Sequence, residues 1–286
     1  MAFKPAARRN AKLRLAITGP AGSGKTYTAI MIAKLLSSRV AVADSERGSA
    51  EKYARPAGKP EGPGAWDFDH DQVTGGPHEF RSKILEAAQA GYPVLVVDSY
   101  SHSWMGALET IDKLGGWVKG GKVISPAIAR LVDAILTYPG HVVATMRSVT
   151  DNVIEQNDKG RATIRKVGMK SVARDGTDYE FDVILDLTTD GGIAVTKTRC
   201  SALAGKVFSR DEDVPKIVEA LKGWLDEGAP LTPREAFTER IRFANTLTDL
   251  QDLLPDLKAL DREDQVALKP AYLARRDEIA DTEGLS

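Results

Sequence analysis

The sequence reads as an α/β protein. It has a mainly parallel central sheet, a β-rich second half and a small helical unit at the C-terminal end. Three patterns carry this reading. Short apolar runs at 40–43, 94–97 and 141–146 have the length and the Val, Leu and Ala content of strands buried on both faces. Segments of helical periodicity lie between them, as crossover connections require. Past residue 150 the alternation gives way to strand-like segments around hairpin-like turns at 157–160 and 190–192.

Each element has its own justification. In residues 12–18, Leu13, Leu15 and Ile17 alternate with Arg14 and Ala16, the period of a strand. A glycine-rich turn follows, then a helix from about residue 25 to 37. Residues 55–66 hold three prolines and three glycines without periodicity and read as a loop. Residues 80–90 place Phe80, Ile84, Leu85 and Ala88 on one helical face, and 91–93 break it. Ser125-Pro126 reads as a cap followed by proline at the first helical position, opening a helix that runs to about Leu136. Strands are expected at 152–156, 162–167, 179–187 and 192–198, and a helix at 214–226. Tyr179 and Phe181 fall on one strand face and are expected in the core. After a linker at 228–233, residues 233–246, 248–260 and 262–280 read as three helices. Phe237, Ile241, Leu247, Leu250, Leu253 and Leu254 form their own core. The expected organisation is a basic arm over 1–11, a core over 12–227 and a helical domain with an acidic tail over 233–286.

Composition narrows the function. With 42% hydrophobic and 28% charged residues the chain is neither disordered nor fibrous. A net charge of -1 confines any nucleic-acid site to a local patch. Such patches are visible. From residue 226 onward the net charge is -6, so residues 1–225 carry +5. Residues 1–14 contain Lys4, Arg8, Arg9, Lys12 and Arg14 without an acid. Residues 159–174 contain Lys159, Arg161, Arg165, Lys166, Lys170 and Arg174, again without one. Either run would be unremarkable as a solvated face. The single cysteine, Cys200, excludes a disulfide framework and a cysteine-based zinc cluster, and reads as a small buried strand residue. The four histidines show no metal-ligand spacing. No apolar run is long enough to span a membrane, and the basic N-terminus leads into no apolar segment, so the expected compartment is the cytoplasm.

The chemistry starts at residues 19–26. Gly19-Pro20-Ala21-Gly22-Ser23-Gly24-Lys25-Thr26 follows a strand and opens a helix, the context of a phosphate-binding loop. Its glycines let successive N–H groups face phosphate oxygens at a helix N-terminus. The expected nucleotide contacts are Gly19 through Thr26 and the adjoining Tyr27, with Lys25 on the β- and γ-phosphates. Val94-Leu95-Val96-Val97-Asp98 places an acid at the carboxyl end of a buried strand, where ligands of parallel sheets bind. Thr26 and Asp98 would hold Mg²⁺, and the nucleotide would be ATP. Glu46, just past the 40–43 run, is a candidate for orienting the attacking water if its strand neighbours that of the loop. An acidic residue there, with Ser99 rather than glutamate after Asp98, departs from the Asp-Glu ending of the AAA+ pattern.

These features in order resemble the RecA family: residues 19–26, Asp44-Ser45-Glu46, Val96-Val97-Asp98-Ser99, the 141–145 strand ending at Met146-Arg147, and Val195-Thr196-Lys197-Thr198-Arg199. Several runs are more specifically similar to phage-encoded RecA-core ATPases of the Sak-type single-strand annealing group. They are residues 97–104, 144–148, 166–169, 179–182 and 197–201. The likeness covers roughly residues 12–225. It implies a RecA-like P-loop ATPase core with Lys25, Glu46, Asp98, Arg147, Lys197 and Arg199 as catalytic residues. Lys197 and Arg199 would reach a neighbouring subunit's γ-phosphate, so ATP would sit at the interfaces of a homo-oligomer. The sensing role usually held by an amide falls to Thr145 or Arg147. The resemblance places single-stranded DNA on the loop over 148–176, through Arg161, Arg165, Lys166, Lys170 and Arg174. It implies DNA-stimulated hydrolysis, strand annealing beside an ssDNA-binding protein, and a host cytoplasm. Phe3-Lys4-Pro5-Ala6 has the F-x-x-A form that some recombinases insert into a neighbour. A RecA-core helicase, a small-molecule kinase and a non-hydrolysing switch share the loop and Asp98, and stay open at this point.

Overall fold

The computed structural model describes residues 10–156, 162–244 and 246–283, and side chains outside 150–156, 162–169 and 281–283. The first half alternates strand and helix: β1 (Arg14–Gly19), α1 (Lys25–Leu36), β2 (Val40–Asp44), β3 (Asp69–Gln72), α2 (Pro77–Gln89), β4 (Val94–Asp98), α3 (Tyr100–Lys113) and α4 (Trp117–Thr137). Then come β5 (His141–Gln156), β6 (Ala162–Ser171), β7 (Val183–Leu187), β8 (Gly192–Thr198), β9 (Val207–Ser209) and α5 (Arg210–Asp226). The C-terminal helices are α6 (Pro233–Phe243), α7 (Leu247–Asp252), α8 (Leu254–Ala259) and α9 (Arg262–Glu283).

Among the described residues one nine-stranded sheet organises these elements in the order β3-β2-β4-β5-β1-β7-β8-β9, with β6 off this path and paired with β5. From β3 to β7 every pair is parallel; β7–β8, β8–β9 and β5–β6 are antiparallel. The continuous apolar runs of β1, β2 and β4 follow from helices on both faces, because successive residues point to opposite sides. Leu15, Ile17, Val42, Val94 and Val96 pack with Ile30 of α1 and Ile217 and Leu221 of α5. Ala16, Ala41, Leu95 and Val97 pack on the other face with Phe80 and Ile84 of α2 and Leu131 of α4. Each fully buried Leu, Ile or Val contributes about 1.5–3 kcal/mol relative to exposure.

Several elements differ from the sequence expectation. Pro126 does not open a helix: α4 starts at Trp117 and carries Pro126 inside it. The glycines before it suggest a break, but Gly120 answers a packing need. A Cβ there would lie 2.6 Å from Ile111 Cα, so glycine lets α3 and α4 touch backbone to backbone. The strand expected from Tyr179 starts only at Val183, because Thr177–Glu180 forms a 3-10 turn. Phe181 is buried, whereas Tyr179 is 79% exposed. Thr246 does not end α6. It caps α7, its hydroxyl accepting the Asp249 amide in a capping box, so among the described residues four helices replace three. Those helices have their own core of Phe237, Ile241, Leu250, Leu268 and Ile279, and Phe243 joins the main one. Arg14 is no part of a solvated face. It is buried, and its guanidinium donates to the carbonyls of Leu13, Leu136, Tyr138 and Gly140. The F-x-x-A segment lies outside the described residues. Among the described residues no helix is long and apolar enough to cross a membrane.

Candidate active site

Parallel strands deliver their carboxyl ends to one edge of the sheet, and the loops there gather the functional side chains. Strand β1 ends at Gly19 and the chain curls through residues 20–24 into α1. Gly24 sits at φ +83°, and a Cβ on it would come within 2.6 Å of the Arg210 guanidinium. The curl is pinned by the Ser23 hydroxyl, which donates to the Pro20 carbonyl at 2.9 Å. Lys25 folds back over the loop, its Nζ donating to the carbonyls of Gly19 and Pro20 at 2.9 and 2.8 Å. Burial pushes its ammonium below the ordinary lysine range, while Glu46 and Asp98 pull it back. Tyr27 turns its ring to Tyr53 and Trp66, with centroids 5.7 and 5.1 Å away.

Asp98 lies at the end of β4 and is buried. Thr26 Oγ1 donates to its Oδ2 at 2.7 Å, and the Thr145 hydroxyl donates to its Oδ1. Burial pushes the carboxyl up to about 6, against the pull of these two bonds. Of the two sensing candidates, Thr145 is thus held by Asp98. Arg147 lies two residues further along β5. It is partly exposed, its guanidinium donates to Glu46 Oε1 at 2.9 and 3.2 Å, and its amide donates to Ser101 Oγ.

Glu46 reaches this group although the condition set for it fails. Strand β2 does not neighbour β1; β4 and β5 stand between them. What brings Glu46 in is Arg147 on β5, which does pair with β1. Asp44, buried at the end of β2, accepts the amides of Glu46 and Ala50 at 2.5 and 3.1 Å and thereby turns the chain. Ser45 ties the two strand ends together. Its amide donates to the Asp98 carbonyl at 2.6 Å, its hydroxyl accepts the Ser99 amide at 2.8 Å, and His102 Nδ1 lies 2.7 Å from the same hydroxyl. Burial, then Arg147, lowers the His102 imidazole below its ordinary value, which favours the neutral ring. A cavity of about 480 Å³ adjoins Glu46, His102 and Arg147.

A loop for phosphates, a hydroxyl and carboxylate in contact, and a glutamate held by an arginine make up the apparatus of a nucleotide hydrolase. Comparison agrees with this chemistry, since residues 11–206 match the family model described as AAA domain. The chain belongs to that family. It is thus a P-loop ATPase of the AAA type, although Glu46 follows β2 and no glutamate stands beside Asp98. No curated protein matches the chain. ATPases of this kind bind ATP with Mg²⁺, and the donors fit. Mg²⁺ takes hard oxygens from one or two protein groups plus substrate phosphates, and Thr26 and Asp98 offer a hydroxyl and a carboxylate already in contact. The bound nucleotide supplies the scissile phosphoryl group. With it bound, Lys25 would neutralise its charge and Glu46 would orient the attacking water.

Two expected catalytic residues lie elsewhere in this AAA domain. Lys197 and Arg199 are at the end of β8, level with the start of β7 and so with the opposite edge of the sheet from Gly19. Lys197 Nζ donates to the Asp178 and Tyr179 carbonyls at 2.8 Å each. Arg199 pairs with Asp182 Oδ1 at 2.9 Å, whose other oxygen accepts the Arg14 amide. Of the expected DNA contacts, Arg161 lies outside the described residues, and the side chains of Arg165 and Lys166 do as well. Lys170 pairs with Asp175 at 2.8 Å, and Arg174 is exposed. Residues that the sequence left unmarked include His102 and Arg210. The Arg210 guanidinium donates to the Ser23 carbonyl at 3.3 Å and covers the loop from the start of α5. Nothing local to Arg210 in the sequence announces that role, whereas the Ser45–His102 pair falls within two motifs already noted.

Proposed function

We propose that this ATPase is a single-strand annealing protein of DNA recombination, phage-encoded, acting as a homo-oligomer beside an ssDNA-binding protein in the host cytoplasm. The continuity of β5 carries this reading. Arg147 in the ATP site and the residues paired with β6 belong to one strand, Arg147 standing next to Ser148, which faces Ser171. A movement of Arg147 during hydrolysis would pass directly into the hairpin. That hairpin bears Arg165 and Lys166, with Lys170 and Arg174 at its base. Cations along an extended ribbon suit a single-stranded phosphate backbone. The exposed Tyr179 ring, with Lys197 Nζ 5.8 Å from its centroid, offers a base a stacking surface. Lys197 and Arg199 lie toward the other end of the strands from their own loop, which suits a head-to-tail assembly in which they act on a neighbour's ATP.

The test is annealing of complementary oligonucleotides with and without ATP, against Lys25→Ala. Annealing that requires Lys25 and weakens steeply with salt supports the proposal. Directional unwinding of a duplex would replace annealing by a helicase function. The cavity beside Glu46 favours one further reading, because its size suits a small acceptor of the γ-phosphoryl group. Label from γ-labelled ATP appearing on a small molecule, and not only as free phosphate, would establish that reading.

A further inference from the structure

The C-terminal helices meet the core across a cavity of about 440 Å³, lined by residues of α2, α4, α6 and α9 and by none of the ATP-site residues. Four arginines line it: Arg81, Arg130, Arg242 and Arg275. Two carboxylates, Asp133 and Glu278, stand among them. Each is engaged: Arg242 donates to Asp133 at 2.9 Å, and Arg275 to Glu278 at 2.8 Å. Arg275 Nε also donates to the Ala244 carbonyl at 2.9 Å. Arg81 and Arg130 make no hydrogen bond or ion pair among the described residues. Arg81 is nevertheless half-buried. Burial, then the nearby Arg275 and Arg130, lowers its guanidinium below the ordinary value, and Asp133 offsets this only in part.

We propose that this cavity is a binding site for a small phosphorylated anion, gripped by Arg81 and Arg130. Two guanidinium forks without carboxylate partners leave donors of the geometry that phosphate oxygens accept in pairs. Gathering four like charges around a partly enclosed space is unfavourable until a counter-charge enters it. With two carboxylates present, the surplus is two positive charges, the complement of a phosphate monoester dianion. Leu85, Ile241 and Phe243 give the cavity an apolar wall for the carbon body of such a ligand. Its volume lies in the range of small-molecule sites, about 300–1,000 Å³. Core and C-terminal helices both build the walls, so occupancy would fasten one to the other. The proposal does not depend on the DNA reading.

The test is calorimetric titration of full-length Lys25→Ala protein, whose phosphate loop is disabled, with pyrophosphate and with adenosine monophosphate. The same titration is made on Lys25→Ala carrying Arg81→Gln and Arg130→Gln. Saturable binding to the first protein, weakened about tenfold or more in the second, is expected. Arg81→Gln/Arg130→Gln with Lys25 intact should keep its ATP turnover, which shows that it folds. If the glutamines unfold the junction, Arg81→Lys/Arg130→Lys keeps the charge but loses the fork, and the same weakening is expected. Equal affinities in the two proteins overturn the proposal, as does absence of saturable binding to the first. An oligonucleotide that alone responds to the arginine pair also overturns it, since the site would then serve a strand and not a small anion.

Discussion

His141 opens β5, and its Nδ1 accepts the Leu13 amide at 2.9 Å, which fixes β5 against β1, the strand of the phosphate loop. Only the neutral ring can accept that proton. Burial, aided by Lys12 and Arg14, pushes the imidazole down to about 4. In the unfolded chain it titrates near 6.5. The unfolded state therefore binds the proton first as pH falls. The stabilising contribution is complete above about 6.5 and is lost on the way down to about 4. A shift of this size is worth about 3 kcal/mol in all, and about 2 kcal/mol of it disappears between pH 7.5 and pH 5. His141→Asn offers the Leu13 amide an oxygen that does not titrate. Urea unfolding at the two pH values should show wild type losing about 2 kcal/mol more than the variant. Asp98 titrates over the same range in the opposite sense, since its raised carboxyl costs stability above about 6 and relaxes below it. It does so in both proteins, and the comparison cancels it. Equal losses in the two proteins would refute the assignment of a neutral, accepting His141.

Glu46→Gln should lower steady-state turnover by about 10²–10⁴-fold and leave nucleotide affinity within a few-fold, measured by hydrolysis and by equilibrium binding. Unchanged turnover would make Glu46 a surface residue and favour a nucleotide switch. Gly24→Ala forces a Cβ into a left-handed turn and against Arg210. It should cost about 1 kcal/mol or more of stability in urea unfolding and weaken nucleotide binding as well. Arg14→Met leaves the carbonyls of Leu136, Tyr138 and Gly140 without their donor and should cost about 3 kcal/mol or more, read by the same unfolding experiment.

The central sheet was legible because its physics is local. A strand buried on both faces must be apolar throughout, and β2 and β4 announce themselves by that alone. The phosphate loop and Asp98 were legible for a related reason: their chemistry needs fixed residue types at the end of such strands. Helix α3 is hidden in the sequence, and α4 reads as starting late, because Gly115, Gly116, Gly120 and Gly121 look like a break. Gly120 is instead the price of close contact with Ile111, a tertiary fact. Arg14 shows the same limit. In sequence it belongs to a basic run, and only the fold supplies the ring of carbonyls that buries it. The sequence case for Glu46 needs β2 beside β1, and the fold separates them. The link runs through Arg147, which no spacing rule connects to Glu46. Arg210 was invisible for want of any local signal, since it meets the loop only through folding.

The central claim is that ATP hydrolysis at Lys25, Glu46 and Asp98 is coupled to the basic hairpin by β5. Steady-state hydrolysis with and without single-stranded DNA, at low and moderate salt and with Lys25→Ala as the blank, tests it most directly. DNA should accelerate turnover, the acceleration should fade as salt rises, and Arg165→Gln/Lys166→Gln should lose it while basal turnover persists. Turnover that ignores DNA at every salt concentration would contradict it.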